Sequence, residues 1–345
     1  MPAVCRHFFW GCRCDFWFEM LNFVCLIKYM NIFKAAIFLM CLSAFGYAGE
    51  KFDFKPCPQE LSWRFGRGQI FENLNSKVGV VYKEADNEKL CFDISYPKSA
   101  APESGYPLLF YIHGGAWVGG ERFSGYGYFN DEIRYYNQKG FAVASVDYRF
   151  ARFENPKRTM DCCVVDCMDA LRFIVKNAKP LNVNPEKIGV YGHSAGGHLA
   201  FMLAMADQNL FLGDESLQGV KYKVACAVPQ SGPVLFGDEK GSEYGLYFVL
   251  FGKPYDRALM KKLSPINYVK KNLPPMLILH GKKDELVPIE GAELIKSRLE
   301  AAGAPVEAVF AENARHSFED AKEPNNDRLA DIRRAFFVKH LSKKD

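Results

Sequence analysis

An apolar run, a glycine-flanked serine and a helix-like segment follow one another without interruption over residues 187–204. The run 187–191 is typical of a buried strand, and residues 197–204 are typical of a helix. The link between them reads Gly-His-Ser-Ala-Gly, with a glycine two places before and two places after Ser194. Such a link is a turn so tight that its flanking residues must lack bulk, and it pushes the serine hydroxyl out of the sheet edge. The sequence therefore predicts a nucleophile at Ser194, at the carboxyl end of a strand.

Apolar runs alternate with amphipathic segments along most of the chain. Apart from the strand before the serine, strands are predicted at 108–113, 141–146, 224–229, 276–280 and 306–310. Helices are predicted near 127–139, 158–177, 195–206, 288–302 and 325–341. This alternation is typical of a mostly parallel sheet with helices on both faces. Two β-rich runs at 78–82 and 90–96 predict an antiparallel hairpin at the N-terminal edge, so residues 49–345 are expected to form a single α/β domain.

The segment that precedes this domain has the pattern of a targeting sequence. Residues 30–48 combine a short basic start, an apolar stretch and small residues, which predicts a signal peptide cleaved after Ala48. Residues 1–29 have no clear pattern, and we interpret them as the product of an upstream start codon or as a disordered segment. The alternative is a membrane anchor over residues 16–45, which would bury three charged side chains in the membrane. We therefore expect a secreted or periplasmic protein.

Composition restricts the partners of such a domain. The 345 residues carry a formal net charge of +4, and no run of Lys or Arg is interleaved with aromatic residues, so nucleic acid is not an expected partner. The cysteines beyond residue 48 do not have the spacing of a zinc site, and no metal is expected. Three of them lie on one predicted helix, where we interpret them as half-buried small apolar residues. These cysteines are Cys57, Cys91, Cys162, Cys163, Cys167 and Cys226.

The general base is expected downstream of the serine. A serine hydroxyl becomes nucleophilic when an imidazole accepts its proton and a carboxylate orients that imidazole. In the strand–turn–helix context of Ser194, the acid and then the histidine follow the serine along the chain. His316 lies in a loop between the last predicted strand and the last predicted helix, and it is the predicted base. Three other histidines follow the serine at structural or tail positions: His198, His280 and His340.

The orienting carboxylate is expected after the predicted strand 276–280. The turn that follows this strand carries two acidic residues, Asp284 and Glu285. Pro288 then opens the next predicted helix, which suits a carboxylate held in a short, rigid loop. Asp284 is the predicted acid, and Glu285 remains the alternative.

Backbone N–H donors are expected to stabilise the oxyanion that forms in the reaction. Ala195, directly after the serine, supplies one such N–H at the start of the predicted helix. The loop after the strand 108–113 contains Gly114 and Gly115, whose lack of side chains lets the backbone approach a substrate oxygen. We place the remaining donors at these two glycines and leave the role of Ala116 open.

An aromatic-rich stretch at 231–262 interrupts the alternation of strands and helices. It follows a strand, on the side of the sheet where loops build binding sites. Two interpretations remain open, namely a wall of the substrate pocket and a small helical excursion that packs its own aromatic residues. The candidate pocket residues are Trp117, His193, Tyr244 and Tyr247.

Together these motifs resemble those of α/β-hydrolases. They stand in the order His-Gly-Gly-Ala-Trp at 113–117, Asp-Tyr-Arg at 147–149, Gly-His-Ser-Ala-Gly-Gly at 192–197, His-Gly with Asp284 at 280–284, and finally His316. Within that superfamily the chain is similar to the hormone-sensitive-lipase-like carboxylesterases. It most resembles the branch of acetyl-xylan and feruloyl esterase-like proteins, which also includes kynurenine formamidases. The likeness covers residues 75–341, and within it we interpret the Asp-Tyr-Arg motif as a structural ion-pair element.

The resemblance implies a two-step hydrolysis of carboxylic esters, in which Ser194 is acylated and water then cleaves the acyl-enzyme. It implies no metal and no organic cofactor. Small acyl groups, acetyl or feruloyl, on plant polysaccharide are the expected substrates, because the predicted signal peptide favours an extracellular ester. A kynurenine formamidase-like activity and a general short-chain lipase or esterase are alternatives that use the same residues. A non-catalytic binding protein is the alternative from another functional class.

Overall fold

Eight strands form one sheet in the computed structural model, which describes residues 75–122, 127–152, 158–237 and 256–342. For residues 127–130 it describes the backbone alone. The strands are β1 (Asn75–Ala85), β2 (Glu88–Tyr96), β3 (Tyr106–Ile112), β4 (Ala142–Val146), β5 (Val183–His193), β6 (Cys226–Gln230), β7 (Met276–Gly281) and β8 (Val306–Ala311). The segments predicted at 1–29 and 30–48, and the candidate pocket residues Tyr244 and Tyr247, lie outside the described residues.

Six α-helices connect or follow these strands within the described ranges. They are α1 (Gly127–Gln138), α2 (Asp161–Lys176), α3 (Ala195–Met205), α4 (Arg257–Leu263), α5 (Ile289–Ala301) and α6 (Asn326–Leu341). Of the helices in this part of the chain, none is long and apolar enough to cross a membrane.

The strands are ordered β1-β2-β4-β3-β5-β6-β7-β8 across the sheet. β1 pairs antiparallel with β2, and β2 pairs antiparallel with β4, whereas all the remaining neighbours are parallel. Because parallel neighbours place their carboxyl ends at one edge, the loops after β3, β5, β6, β7 and β8 come together there. This architecture confirms the predicted α/β class, including the hairpin at the N-terminal edge.

Both faces of the sheet are covered. Along β3, Leu108 and Phe110 pack into the core under α2, α3 and α5, whereas Leu109 faces the core under α1 and α6. Successive side chains of a strand point to opposite faces, so a strand covered on both sides must be apolar at nearly every position. This is the physical reason that the strands appear in the sequence as unbroken apolar runs.

Buried ion pairs attach the N-terminal hairpin to the body of the domain. Asp86 and Asn87 form its tight turn with φ angles of 52° and 61°, which match the twist of the paired strands. From β1, the Lys83 Nζ atom lies 2.8 Å from Asp166 Oδ1 and 2.7 Å from Asp169 Oδ2, and both carboxylates of α2 are fully buried. A buried charge is tolerated when it is paired in this way.

The motif at 147–149 serves the same structural purpose. Asp147 pairs with Arg122, and Arg149 Nε donates to a buried aspartate of α2 at 2.8 Å. The Tyr148 hydroxyl donates to the carbonyl of His113 at 3.0 Å, and the two rings stack with centroids 4.3 Å apart. The interpretation of this motif as an ion-pair element is therefore confirmed, and the tyrosine also supports the loop after β3.

The cysteines of the described residues are free thiols. Cys162, Cys163 and Cys167 are buried on α2, more completely than predicted, and the other two are Cys91 and Cys226. Burial raises the pKa of the Cys163 and Cys167 thiols well above the ordinary value. Thiols that stay protonated are poor nucleophiles, so these two residues contribute packing.

Two elements differ from the sequence-based prediction. β5 begins at Val183, four residues before the predicted start at 187, because Val183 pairs with Tyr106 across a register shift. The asparagine and proline that follow Val183 are not typical of a strand. α4 occupies part of the aromatic-rich stretch and is capped by Asp256, whose side chain accepts from Leu259 N at 2.9 Å. A small helical excursion was one of the two interpretations left open for this stretch, but a helix of seven residues is too short for an apolar periodicity to define its bounds.

Candidate active site

Ser194 alone joins β5 to α3. Its φ of 57° and ψ of −120° lie outside the regions that residues with a side chain normally adopt. Two hydrogen bonds maintain this conformation, since Ser194 N donates to Gln230 O at 2.9 Å and Ser194 O accepts from His198 N at 3.0 Å. The serine itself remains partly exposed, whereas Ala195 is buried. The turn thus presents a hydroxyl at the edge of the sheet.

The glycines around the serine are required by close backbone contacts. A Cβ atom at Gly192 would lie 2.3 Å from the carbonyl oxygen of Gly196. A Cβ atom at Gly196 would lie 2.1 Å from Ile112 O, and one at Gly197 would lie 2.4 Å from Gln230 O. These neighbours are main-chain atoms of α3, β3 and β6, so they cannot move aside as a flexible side chain would. The Gly-x-Ser-x-Gly pattern is therefore a steric requirement of the turn.

Replacing Gly196 by alanine is expected to destabilise the domain by about 3 kcal/mol or more, because the added methyl overlaps the backbone of β3. The matched control is Gly291→Ala in α5, where a Cβ meets nothing closer than Val234 Cγ2 at 3.3 Å. There we expect a change within about 1 kcal/mol, since alanine also favours helix. Denaturant unfolding of both variants measures the difference, and equal midpoints would contradict the steric argument.

The buried Asp284 and the partly exposed His316 form a hydrogen-bonded pair. Asp284 Oδ2 lies 2.8 Å from His316 Nδ1, and Oδ1 accepts from the N–H groups of Leu286 and Val287, each at 2.9 Å. Burial acts to raise the pKa of Asp284, but the hydrogen bond from His316, its charge and the backbone donors outweigh burial and hold the pKa below its ordinary value. The carboxylate is therefore ionised at neutral pH. The neighbouring Glu285 is exposed, which favours Asp284 over the alternative acid.

The ionised carboxylate determines the state of the imidazole. A carboxylate can only accept a hydrogen bond, so His316 Nδ1 carries the proton in this contact. In the neutral ring Nε2 then has the free lone pair and can accept a proton. This is the tautomer that a general base for a hydroxyl requires.

The loop that carries His316 is anchored to the end of β7. Lys283 N donates to Ala314 O at 2.9 Å, and a Cβ at Gly281 would lie 2.3 Å from that same oxygen. Phe318 is buried two residues beyond the histidine, with a φ of 63°. The glycine at the end of β7 therefore permits the close approach that brings His316 to Asp284.

His193 connects the His316 loop to the serine turn. Its Nε2 atom lies 2.8 Å from the carbonyl oxygen of His316, and the two ring centroids are 4.8 Å apart. Burial, and then the neighbouring His316 ring, lowers the pKa of His193 to about 4. His193 directly precedes Ser194, so this contact brings the predicted base and the predicted nucleophile into one site. The candidate pocket residue His193 thus contacts the predicted base.

His280 is a further member of the site, although its place in the sequence predicted only a structural role. It is buried, and its Nε2 atom lies 2.8 Å from Val287 O and 3.4 Å from Asp284 Oδ2. Burial lowers the pKa of His280, although the charge of Asp284 acts in the opposite direction. The sequence signal that could have identified this residue is its place near the end of an apolar strand, four residues before the acid.

Gly114, in the loop after β3, lies against the serine turn. A Cβ at Gly114 would stand 2.9 Å from His193 O and 3.5 Å from Ser194 Cβ. Gly115 has a φ of 118°, and a Cβ there would lie 2.2 Å from Gly119 O. The third predicted donor, Ala195, begins α3, where backbone N–H groups have no acceptor within the helix. All three predicted donors therefore belong to segments that meet at Ser194.

Trp117 occupies a different position from the one predicted. Its side chain is 2% exposed, and Nε1 donates to His198 Nδ1 at 3.1 Å. His198 Nε2 lies 2.8 Å from Leu263 O, and burial lowers the pKa of this histidine to about 4. The prediction that Trp117 lines an open substrate pocket is wrong, because the indole is sealed in the core. The Trp117–His198 hydrogen bond therefore attaches the loop after β3 to α3.

Comparison with known sequences identifies relatives with esterase names. A family model described as BD-FAE matches residues 92–299. Esterase LipQ of Mycobacterium tuberculosis is 30% identical over 251 residues, which are 70% of this chain and 56% of LipQ. Esterase LipC of the same organism is 28% identical over 208 residues, which are 58% of this chain and 50% of LipC. The chain thus spans about half the length of these curated relatives.

Comparison with solved structures identifies esterase 2 of Thermogutta terrifontis. Its propionate-bound form superposes with a TM-score of 0.65 at 26% identity, covering 79% of this chain and 97% of the esterase. Its butyrate-bound form gives a TM-score of 0.62 at 26% identity, with 79% and 96% covered. The form phosphoramylated by tabun gives 0.64 at 25% identity, with 78% and 97% covered. The resemblance extends across nearly the whole of that enzyme.

Proposed function

Because this chain belongs to the BD-FAE family of α/β-hydrolases, we propose that it is a serine carboxylesterase that acts through an acyl-enzyme on Ser194. One observation carries this proposal, namely the Asp284–His316 pair bound through His193 to the strained serine turn. The esterase names of the relatives at sequence and structure level support the same reaction class.

In the proposed acylation step, the Ser194 hydroxyl attacks the ester carbonyl carbon and His316 Nε2 accepts the hydroxyl proton. The resulting imidazolium stands against the ionised Asp284 carboxylate, which stabilises its charge and holds the ring in the required tautomer. The imidazolium then gives its proton to the departing alcohol oxygen as the carbon–oxygen bond breaks. Deacylation repeats the sequence with water in place of the serine, which returns the free enzyme and a carboxylic acid.

The oxyanion of each tetrahedral intermediate requires donors that already point at it. We propose that the N–H groups of Gly114, Gly115 and Ala195 are these donors, since their segments converge on the serine. Fixed donors in a site of this kind do not have to reorganise when charge develops, and for that reason they lower the barrier. The positive end of the α3 dipole acts in the same direction.

We propose that the acyl group is small, an acetyl or feruloyl ester on plant polysaccharide. The propionate and butyrate found in esterase 2 of Thermogutta terrifontis support a short acyl chain. The polysaccharide part of the proposal rests on the predicted signal peptide at 30–48, and on Tyr244 and Tyr247 as stacking partners for a sugar or phenolic ring.

A substrate panel tests this assignment. We expect the full chain to hydrolyse p-nitrophenyl acetate with a kcat/KM about tenfold or more above that for the octanoate, because a short acyl pocket excludes the longer chain. Release of acetate from acetylated xylan or of ferulate from methyl ferulate would establish the finer proposal. Preference for the octanoate would instead indicate a lipase-like enzyme, and activity on N-formylkynurenine alone would indicate a formamidase. Each assay is paired with the Ser194→Ala variant.

A further inference from the structure

His193 is the last residue of β5 and directly precedes the nucleophile Ser194. From there its ring reaches the main chain of His316, 123 residues further along the sequence, with a separation of 2.8 Å between Nε2 and the carbonyl oxygen. The mechanism proposed above assigns no step to this side chain. It is nevertheless a polar group that directly connects the segment of the nucleophile with the segment of the base.

The direction of this hydrogen bond is determined by its acceptor. A backbone carbonyl cannot donate, so His193 Nε2 must carry a proton and donate it. Burial and the neighbouring His316 ring lower the pKa of His193 to about 4, which means that the ring is neutral at the pH of ordinary assays. His193 is therefore a neutral donor beside the base at that pH.

We propose that His193 is a positioning residue whose N–H ties the main chain of His316 to the serine turn and so fixes the distance between nucleophile and base. The inference rests on the proposed function, because it presumes that Ser194 and His316 react together. Asp284 orients the imidazole of His316, and Lys283 anchors the loop at Ala314. The contact from His193 adds a connection to β5, the strand that carries the nucleophile.

A neutral imidazole suits this task better than a cationic donor. Lysine or arginine could donate to the same carbonyl, but either would place a fixed positive charge close to a ring that becomes cationic in the reaction. Within the described residues, ionisable groups near His316 include the Asp284 carboxylate and His280 with its lowered pKa. The exposed side chain of Arg315 is paired with Asp320. Among these groups the Asp284 carboxylate stabilises the imidazolium, and a neutral His193 does not oppose it.

Three substitutions separate positioning from packing. His193→Gln keeps a neutral N–H at a similar reach, His193→Asn keeps an amide that is too short, and His193→Leu removes the donor. We expect kcat for p-nitrophenyl acetate to fall by about 30-fold in the Leu and Asn variants, because small misplacements of catalytic groups cost up to about 100-fold. KM should change by less than about two-fold, and the Gln variant should recover kcat to within about five-fold of wild type.

A matched control removes a comparable bond away from the site. Asn137→Leu in α1 abolishes a buried bond of 2.9 Å from Asn137 Nδ2 to Phe141 O, at the amino end of β4 and therefore at the opposite edge of the sheet. We expect this control to lower the melting temperature and to leave kcat unchanged. Should His193→Leu fail to fold, the comparison of the Asn and Gln variants, whose melting temperatures are measured in parallel, decides the question.

Several outcomes would overturn the positioning role. Equal loss of kcat in the Gln, Asn and Leu variants would show that the ring acts by its shape, and unchanged kcat in all three would show that the bond has no influence. A rise in KM alone would assign His193 to the substrate pocket. Failure of the proposed function has a different signature, because wild-type protein would then neither hydrolyse esters nor react with a fluorophosphonate probe.

Discussion

Replacing Ser194 by alanine is expected to lower kcat/KM for p-nitrophenyl acetate by about 10⁴-fold or more. The variant lacks the oxygen that forms the acyl-enzyme, and the Asp284–His316 pair then has no hydroxyl to deprotonate. Alanine also has a Cβ atom, so the backbone strain at this φ of 57° is the same and the fold should be retained. Initial rates and a fluorophosphonate labelling assay measure the effect.

The control for this substitution is a second buried serine. Ser95 lies on β2, which β3 and β4 separate from the strand of the nucleophile, and its side chain is fully buried. Ser95→Ala is expected to retain wild-type kcat/KM and fluorophosphonate labelling. If Ser194→Ala kept more than about a hundredth of the wild-type rate, covalent catalysis at this residue would be disproved.

Replacing Asp284 by asparagine is expected to lower kcat by about 10³-fold or more. Asp284 Oδ1 accepts from two N–H groups, so the amide of asparagine must turn its NH₂ group away from them and towards His316. His316 Nδ1 then has to accept a hydrogen bond, which moves the proton of the neutral ring to Nε2 and removes the lone pair that the serine needs. Steady-state kinetics with p-nitrophenyl acetate measure the loss.

Glu285, the exposed neighbour of Asp284, provides the control for this substitution. Glu285→Gln changes the same charge one residue away, and we expect it to leave kcat unchanged because this side chain is exposed. A kcat that is reduced equally in Asp284→Asn and Glu285→Gln would refute the assignment of Asp284 as the acid.

The same substitution changes how stability depends on pH. The pKa of Asp284 is lowered in the folded state, so its carboxylate stabilises the fold at pH values above the unfolded-state pKa of about 3.9. This stabilisation is lost as the pH falls through the folded-state pKa. The Asp284→Asn variant should therefore lose less stability than wild type below about pH 4.

The chain's local patterns allowed most of the fold to be predicted. Strands buried on both faces must be apolar at nearly every position, and this requirement made β3, β4 and β7 recognisable as separate runs. The predicted helices 127–139 and 325–341 match α1 and α6 to within a few residues. The bounds of the short α4 and the start of β5 escaped prediction because neither segment contains enough residues with a clear period.

The candidate site divides in the same way between local and long-range information. Ser194 could be identified from sequence because its turn leaves no space for a side chain two residues before and two residues after it, so both positions must be glycine. The sequence pattern favoured Asp284 but left Glu285 as an alternative, since both lie in one turn. Burial of the first and exposure of the second distinguish them in the structure.

Local sequence is sufficient to predict the succession of strands and helices along the chain, the serine turn and the general location of its partners, because each depends on residues close together in the chain. The contacts between distant segments, in contrast, are visible only in the folded molecule. His193 meets His316 across 123 residues, and Trp117 turns into the core to meet His198 across 81. Such contacts depend on how strands are ordered in the sheet and how closely their loops approach, and neither quantity has a local signature in the sequence.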